Sequence, residues 1–120
     1  MSGLVDAAHL IRDELRAAGV RADLDPRNIN PPAVWIQLRE VENLLAAGAR
    51  MVTFRLFLIV GDAGTEQALA ALDQLLDATA TAGWDWSAEP IETVTVSLPG
   101  VESTQLPALR LPSVRVKITP

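Results

Sequence analysis

The chain has no cysteine and no tyrosine, a single histidine, and only ten Lys and Arg against fifteen Asp and Glu. Without thiols there are no disulfides and no thiolate chemistry, a composition that suits a reducing cytoplasm. The net charge of −5, with the few basic residues scattered and never in a run, excludes a surface built to grip phosphate, which needs clustered Lys and Arg. No specific nucleic-acid binding is expected, and an acidic surface of this kind keeps a small domain soluble. The longest apolar stretch, Leu56 to Val60, is far short of the roughly twenty residues that span a bilayer. The start, Met1-Ser2-Gly3-Leu4, has neither a basic stretch nor an apolar core, so no secretory signal and no membrane partner are expected.

What is present is the material of one globular domain. The chain has 120 residues, 49% apolar and 21% charged, enough for one core and too apolar for disorder. No internal repeat, linker or composition shift divides it, so residues 1–120 are expected to form a single domain.

The order of elements follows from periodicity. From Gly3 to Ala18, Leu4, Ala8, Ile11, Leu15 and Ala18 recur at helical steps, with Asp6, His9, Arg12, Asp13 and Arg16 on the other face. Ser2 is placed to cap this helix, and Gly19 to end it in the left-handed conformation. A short strand is expected from Val20 to Leu24. In Asp25-Pro26-Arg27-Asn28-Ile29-Asn30-Pro31-Pro32, three prolines and two asparagines predict a stiff, extended loop. Ala33 to Val41 reads as a strand with Val34, Ile36 and Leu38 on one face and Trp35, Gln37 and Arg39 on the other. Asn43 to Gly48 is a connection. Met51 to Val60 is apolar on both faces except Thr53 and Arg55, the pattern of a central strand.

Gly61-Asp62-Ala63-Gly64 breaks that strand, with Thr65 as the helix cap. From Thr65 to Ala82 a second helix is expected, its apolar face made by Leu69, Leu72, Leu75 and Leu76 and its end marked by Gly83. Ile91 to Leu98 alternates as a strand, Pro99-Gly100 signals a turn, and Val101 to Pro112 reads as a long irregular arm. Val114, Val116 and Ile118 mark the last strand. The expected fold is α+β: a mainly antiparallel sheet of four to five strands with two helices packed on one face.

Chemistry-bearing constellations are missing. His9 lies mid-helix on the solvent face with no nucleophile near it in sequence. Asp23 and Asp25, Glu40 and Glu42, and Glu66, Asp73 and Asp77 lack the convergence an oxygen-ligand metal site needs. Gly61-Asp62-Ala63-Gly64-Thr65 joins strand to helix but has neither the lysine of a phosphate loop nor the spacing of a dinucleotide-binding turn. No nucleophile-elbow motif is present. No cofactor, metal or enzymatic activity is expected.

Three tryptophans in a chain with only two other aromatics are informative, because tryptophan is enriched at the energetic centres of interfaces. Trp84 and Trp86, two apart in a strand-like link, share a side. They either cap the open end of a small core or present one apolar surface. Trp35 stands with Gln37 and Arg39 on the more polar face of its strand.

Three segments taken together resemble the tail terminator proteins of long-tailed, siphovirus-type bacteriophages, especially those of actinobacteria. They are the loop Asp25-Pro26-Arg27-Asn28-Ile29-Asn30-Pro31-Pro32 with the strand after it, the strand Val52 to Val60 with Gly61-Asp62 and the helix Ala68 to Asp77, and Leu106-Pro107-Ala108-Leu109-Arg110-Leu111-Pro112 leading into the final strand. The resemblance implies a small sheet with helices on one side and no catalytic residues. It implies a virion protein that caps the finished tail tube as a ring, usually of six subunits, and then joins the head connector. Its implied partners are other copies of itself, the tail tube protein and the head–tail connector protein, with DNA passing through the ring. The implied location is the head-proximal end of the tail, after assembly in the host cytoplasm.

Interface candidates rest on physical grounds. A stiff loop loses little entropy on docking, which selects Asp25, Pro26, Arg27, Asn28, Ile29 and Asn30. Trp35, Gln37, Arg39, Trp84 and Trp86 follow from the tryptophan argument, and Arg110 from the arm. The alternatives are another neck or head-completion protein of a phage, or a small dimeric ligand-binding α+β domain.

Overall fold

A computed structural model describes residues 3–43, 48–60, 65–82, 84–99 and 105–118. Among them the order is α1 (Leu4–Ala17), β1 (Ala22–Asp23), a 3-10 turn (Pro26–Asn28), β2 (Ala33–Asn43), β3 (Arg50–Ile59), α2 (Thr65–Ala82), β4 (Asp85–Trp86), β5 (Glu92–Ser97), β6 (Gln105–Arg110) and β7 (Val114–Ile118). Helix α1 buries Ala7, Ala8, Ile11 and Leu15. Its cap position is Gly3, which offers no side-chain cap, and Ser2 lies outside the described residues. The helix ends as expected at Gly19, whose φ of 86° only glycine adopts without strain. There the Gly19 amide donates to the Arg16 carbonyl and the Val20 amide to the Leu15 carbonyl, which also accepts from the Ala18 amide, so the last turn's carbonyls are satisfied.

The sheet runs β1-β2-β3-β6-β5, with β7 also on β3 and β4 on β7. All pairings are antiparallel except the short parallel β1–β2 contact. The strand predicted to be central is central: β3 has β2 on one side and both β6 and β7 on the other. The expected strand number is corrected. Seven strands, not four to five, make the sheet of this α+β fold. The two unanticipated ones are β4, only two residues long, and β6, which occupies the second half of the supposed irregular arm despite Pro107. Each is separated from its sequence neighbour by a proline-containing break, Ser87–Ile91 before β5 and Leu111–Ser113 before β7.

Even-numbered residues of β3 (Val52, Phe54, Leu56 and Leu58) face the helices and join Val34, Ile36, Val114, Ile118, Ile11, Leu15 and Leu75 in the main core. A second cluster of Ile59, Val96, Leu98, Leu106 and Ala108 forms around the β5–β6 ribbon, with Ile29, Trp35 and Phe57 packed on it. The apolar face of α2 is also corrected. Ala68 and Leu75 are buried and Ala71 and Leu72 partly so, while Leu69 and Leu76 stand 54% and 47% exposed. Leucine content alone misplaced the stripe, because the buried face runs through Ala68, Ala71, Leu72 and Leu75 and leaves Leu69 and Leu76 outside it. No described helix is long and apolar enough to cross a membrane. The expected connection at 44–47, the break at 61–64, Gly83 and the turn residue Gly100 lie outside the described residues.

Both neighbours of β3 carry one extra residue at the same level. On β2, Leu38 faces Phe54 and Glu40 faces Thr53, which leaves Arg39 inserted. On the other side, Phe57 faces Arg110 while Phe54 faces Val114, so four steps of the outer chain answer three of β3. The inserted residue therefore falls within Leu111–Ser113. Such insertions bend a strand and increase its twist. Here they lie on opposite flanks of Phe54.

Candidate interaction surfaces

The two insertions are bridged by a cluster of side-chain hydrogen bonds among Arg39, Ser87, Glu89 and Ser113. Arg39 reaches across β3, and its Nη1 donates to Glu89 Oε1 at 2.8 Å and to Ser113 Oγ at 2.9 Å. Ser113 Oγ and Ser87 Oγ both donate to the same carboxylate oxygen, at 3.0 and 2.9 Å. The Ser113 amide donates to Ser87 Oγ, and the Ser87 amide to the Ser113 carbonyl. Ser113 is only 1% exposed, so its hydroxyl depends on these partners. Hydrogen bonds from Ser87 and Ser113, reinforced by Arg39, hold the Glu89 carboxyl below its ordinary value. Arg39, one of the interface candidates, also ties the two insertions together while its side chain stays 38% exposed.

The proline loop is shaped by Asp25. Its carboxylate accepts from the Arg27 amide, capping the 3-10 turn, and forms a two-pronged ion pair with the Arg27 guanidinium. That pairing lowers the Asp25 pKa and raises that of Arg27. Pro26 is partly buried, Arg27, Asn28 and Asn30 are exposed, and Ile29 packs inward on the second cluster. The peptide bond Pro31–Pro32 is cis. A cleft of about 360 Å³ lies between this loop, β1 and the end of α1, lined by Arg16, Arg21, Asp23, Asn28 and Asn30 together with apolar residues such as Val20 and Ile29. Within it Arg16 already donates to the Ala22 carbonyl and pairs with Asp23.

The tryptophans divide. Trp35 is half-buried, donates from Nε1 to the Leu24 carbonyl and packs on Phe57 with ring centroids 5.7 Å apart. Its neighbour Gln37 is exposed. Trp84 and Trp86 lie 5.9 Å apart against the main core, and Trp84 Nε1 donates to Glu14 of α1. They do both things considered for them: they close the core beside α2, and they wall an apolar groove of about 350 Å³ with Leu76, Ile91, Leu111 and Pro112. Arg110 is paired with Glu92 across the β5–β6 ribbon.

No family model, curated protein or solved structure matches this chain. The surfaces must therefore speak through their own chemistry. Among the described residues no group of three or more His, Cys, Asp or Glu could hold a metal ion. His9 lies half-buried on α1, and no described nucleophile is paired with it.

A further apolar surface was not expected. Leu4 and Val5 of α1 and Leu38 of β2 line a cleft of about 300 Å³ with Leu24, Trp35 and Phe54. Val5 is 63% exposed and Leu38 47%. Val41, farther along β2, is exposed too. Sequence periodicity assigned Leu4 and Leu38 to the core by residue type. The signal that separates them is position: Leu4 begins its helix, and Leu38 immediately precedes the insertion on a strand whose outer edge pairs with β1 only at Val34 and Trp35.

Proposed function

We propose that this chain is a self-assembling structural subunit, acting as a tail-terminator-like ring that caps a phage tail tube and offers the surface on which the head connector docks. The observation that carries this reading is the distribution of exposed large apolar side chains. Most fall in two groups, Leu4, Val5, Leu38 and Val41 by the β2 edge, and Leu69, Leu76 and Ile91 by α2 and the β4–β5 edge. Apolar surface collected at two separate edges is what a subunit with two different neighbours needs. The resemblance supplies the biological setting: six copies, the tail tube protein below and the connector above, at the head-proximal end of the virion tail. An acidic chain without basic runs suits a ring through which DNA slides without being held. The reading includes no catalytic step and no cofactor.

The test is the mass of the purified protein by light scattering over a wide concentration range, with negative-stain images of the largest species. Closed rings of about six subunits support the reading; a dimer at every concentration refutes it. The cleft with Arg16, Arg21, Asn28 and Asn30, whose lining also includes Asp23, favours a second reading, a dimeric domain that binds a small ligand with an anionic group. That reading expects a thermal shift with small carboxylates or phosphates and no ring.

A further inference from the structure

The cleft between the proline loop, β1 and the end of α1 keeps more unused donors than acceptors. Its one acid is already satisfied: Asp23 Oδ1 accepts from the Leu24 and Asp25 amides at 2.7 and 3.2 Å, and Oδ2 from Arg16 Nη2 at 3.3 Å. The end of α1 is satisfied too. The Leu15 carbonyl accepts from Val20, that of Arg16 from Gly19, and that of Ala18 from the Gln74 side chain. By contrast, the Arg21 guanidinium and the Asn28 and Asn30 carboxamides line the cleft, and among the described residues none of the three makes a side-chain hydrogen bond or ion pair. Two arginines against one aspartate leave the lining with one net positive charge, in a chain whose net charge is −5. Much of the remaining lining is apolar, with Val20 and Ala33 buried and Ile29 half-buried. The volume of about 360 Å³ falls in the range of about 300–1,000 Å³ common to small-molecule sites.

We propose that this cleft binds a small monocarboxylate with an aliphatic body. This rests on the ligand-binding reading and names its class of ligand. The carboxylate pairs with Arg21, whose planar fork matches two oxygens, and the Asn28 and Asn30 carboxamides supply further donors. The aliphatic body covers Val20, Ile29 and Ala33. A monoanion matches the single net charge of the lining. A phosphate, carrying more than one charge at neutral pH, would leave part of its charge unmatched and the apolar lining unused. The 3-10 turn that carries Asn28 is already capped by Asp25, so its backbone has little freedom left to lose on binding.

The probe is sodium hexanoate, titrated into the full-length protein at constant ionic strength and followed by heat of binding and by backbone amide chemical shifts. Saturable binding is expected, with the shifts centred on the residues that line the cleft. The uncharged analogue 1-hexanol, which has the same body, should bind at least about tenfold more weakly. Arg21→Gln should weaken hexanoate binding about tenfold with the melting temperature unchanged, since Arg21 is exposed and unpaired among the described residues. Lys117→Gln makes the same change of charge on β7, outside the cleft, and should leave the affinity as it is. Hexanoate binding that survives Arg21→Gln, or hexanol binding as tight as that of hexanoate, locates the ligand on another surface and overturns the proposal. Inorganic phosphate that binds this cleft more tightly than hexanoate overturns the carboxylate class and leaves the ligand-binding reading standing. Binding of neither anion refutes that reading as well.

Discussion

Replacing Ser113 with alanine should destabilise the fold by about 2 kcal/mol. The Ser113 hydroxyl accepts from the Arg39 guanidinium and donates to the Glu89 carboxylate, two hydrogen bonds to charged groups. Such bonds are each worth about 1.5–3 kcal/mol in buried sites. The full sum is not expected, because Arg39 and Glu89 keep their own 2.8 Å contact, and their side chains are 38% and 34% exposed, so water replaces part of the loss. The Ser113 amide keeps its bond to Ser87 Oγ, which confines the perturbation to the hydroxyl. Glu89→Gln should cost less, since its amide can still accept from both serines. The two changes act on one cluster, so the double variant should be less destabilised than the sum of the singles by about 1 kcal/mol. Urea unfolding followed by tryptophan fluorescence measures all three. A Ser113→Ala protein within about 0.5 kcal/mol of the parent, or strict additivity with Glu89→Gln, would refute the view that this cluster ties the two insertions together.

Three further outcomes are expected. The folded-state pKa of Glu89 lies below its ordinary value of 4.5, so its contribution is fully present above that pH and is lost as pH falls through the lowered value; acid titration of stability should show a shallower loss in Glu89→Gln than in the parent. Gly19→Ala should lower stability by about 1–2 kcal/mol through its positive φ, and Gln74→Ala in the same background should not restore it, because the added methyl meets only the movable end of Gln74. Arg27→Ala with Asn28→Ala should leave the melting temperature nearly unchanged, since Arg27 is 76% exposed, while weakening assembly measured by light scattering; a marked fall in melting temperature would make the loop a structural element.

Periodicity located both helices and the strands at 33–43, 50–59, 92–97 and 114–118 because each has a long run of one pattern facing one core. It failed where a strand was shorter than a pattern, as at Asp85–Trp86, or where proline and arginine interrupt the apolar alternation, as in Gln105–Arg110. The candidate surface was legible in part. Trp84 and Trp86 signalled an apolar site from their spacing, but the groove also needs Leu76 and Ile91, which belong to other elements. Arg39 looked like a free polar residue because its partners, Glu89 and Ser113, lie 50 and 74 residues away. Val5 gave no signal at all, since an exposed valine in a first helical turn is ordinary until its surroundings are seen.

The extra residue in Leu111–Ser113 has a consequence for how the sequence can vary. Beyond it the inward positions are Val114 and Ile118, both buried, with Val116 partly so, and the outward ones are Arg115 and Lys117. Removing one residue there would exchange the two sets, turning two cations toward the helices and the buried aliphatics toward water. Adding one would do the same. Substitution at Pro112 changes a single side chain, whereas a change of length inverts five. At this point the chain is constrained in its count of residues more tightly than in their identity, and the same holds at Arg39 on the other flank of Phe54.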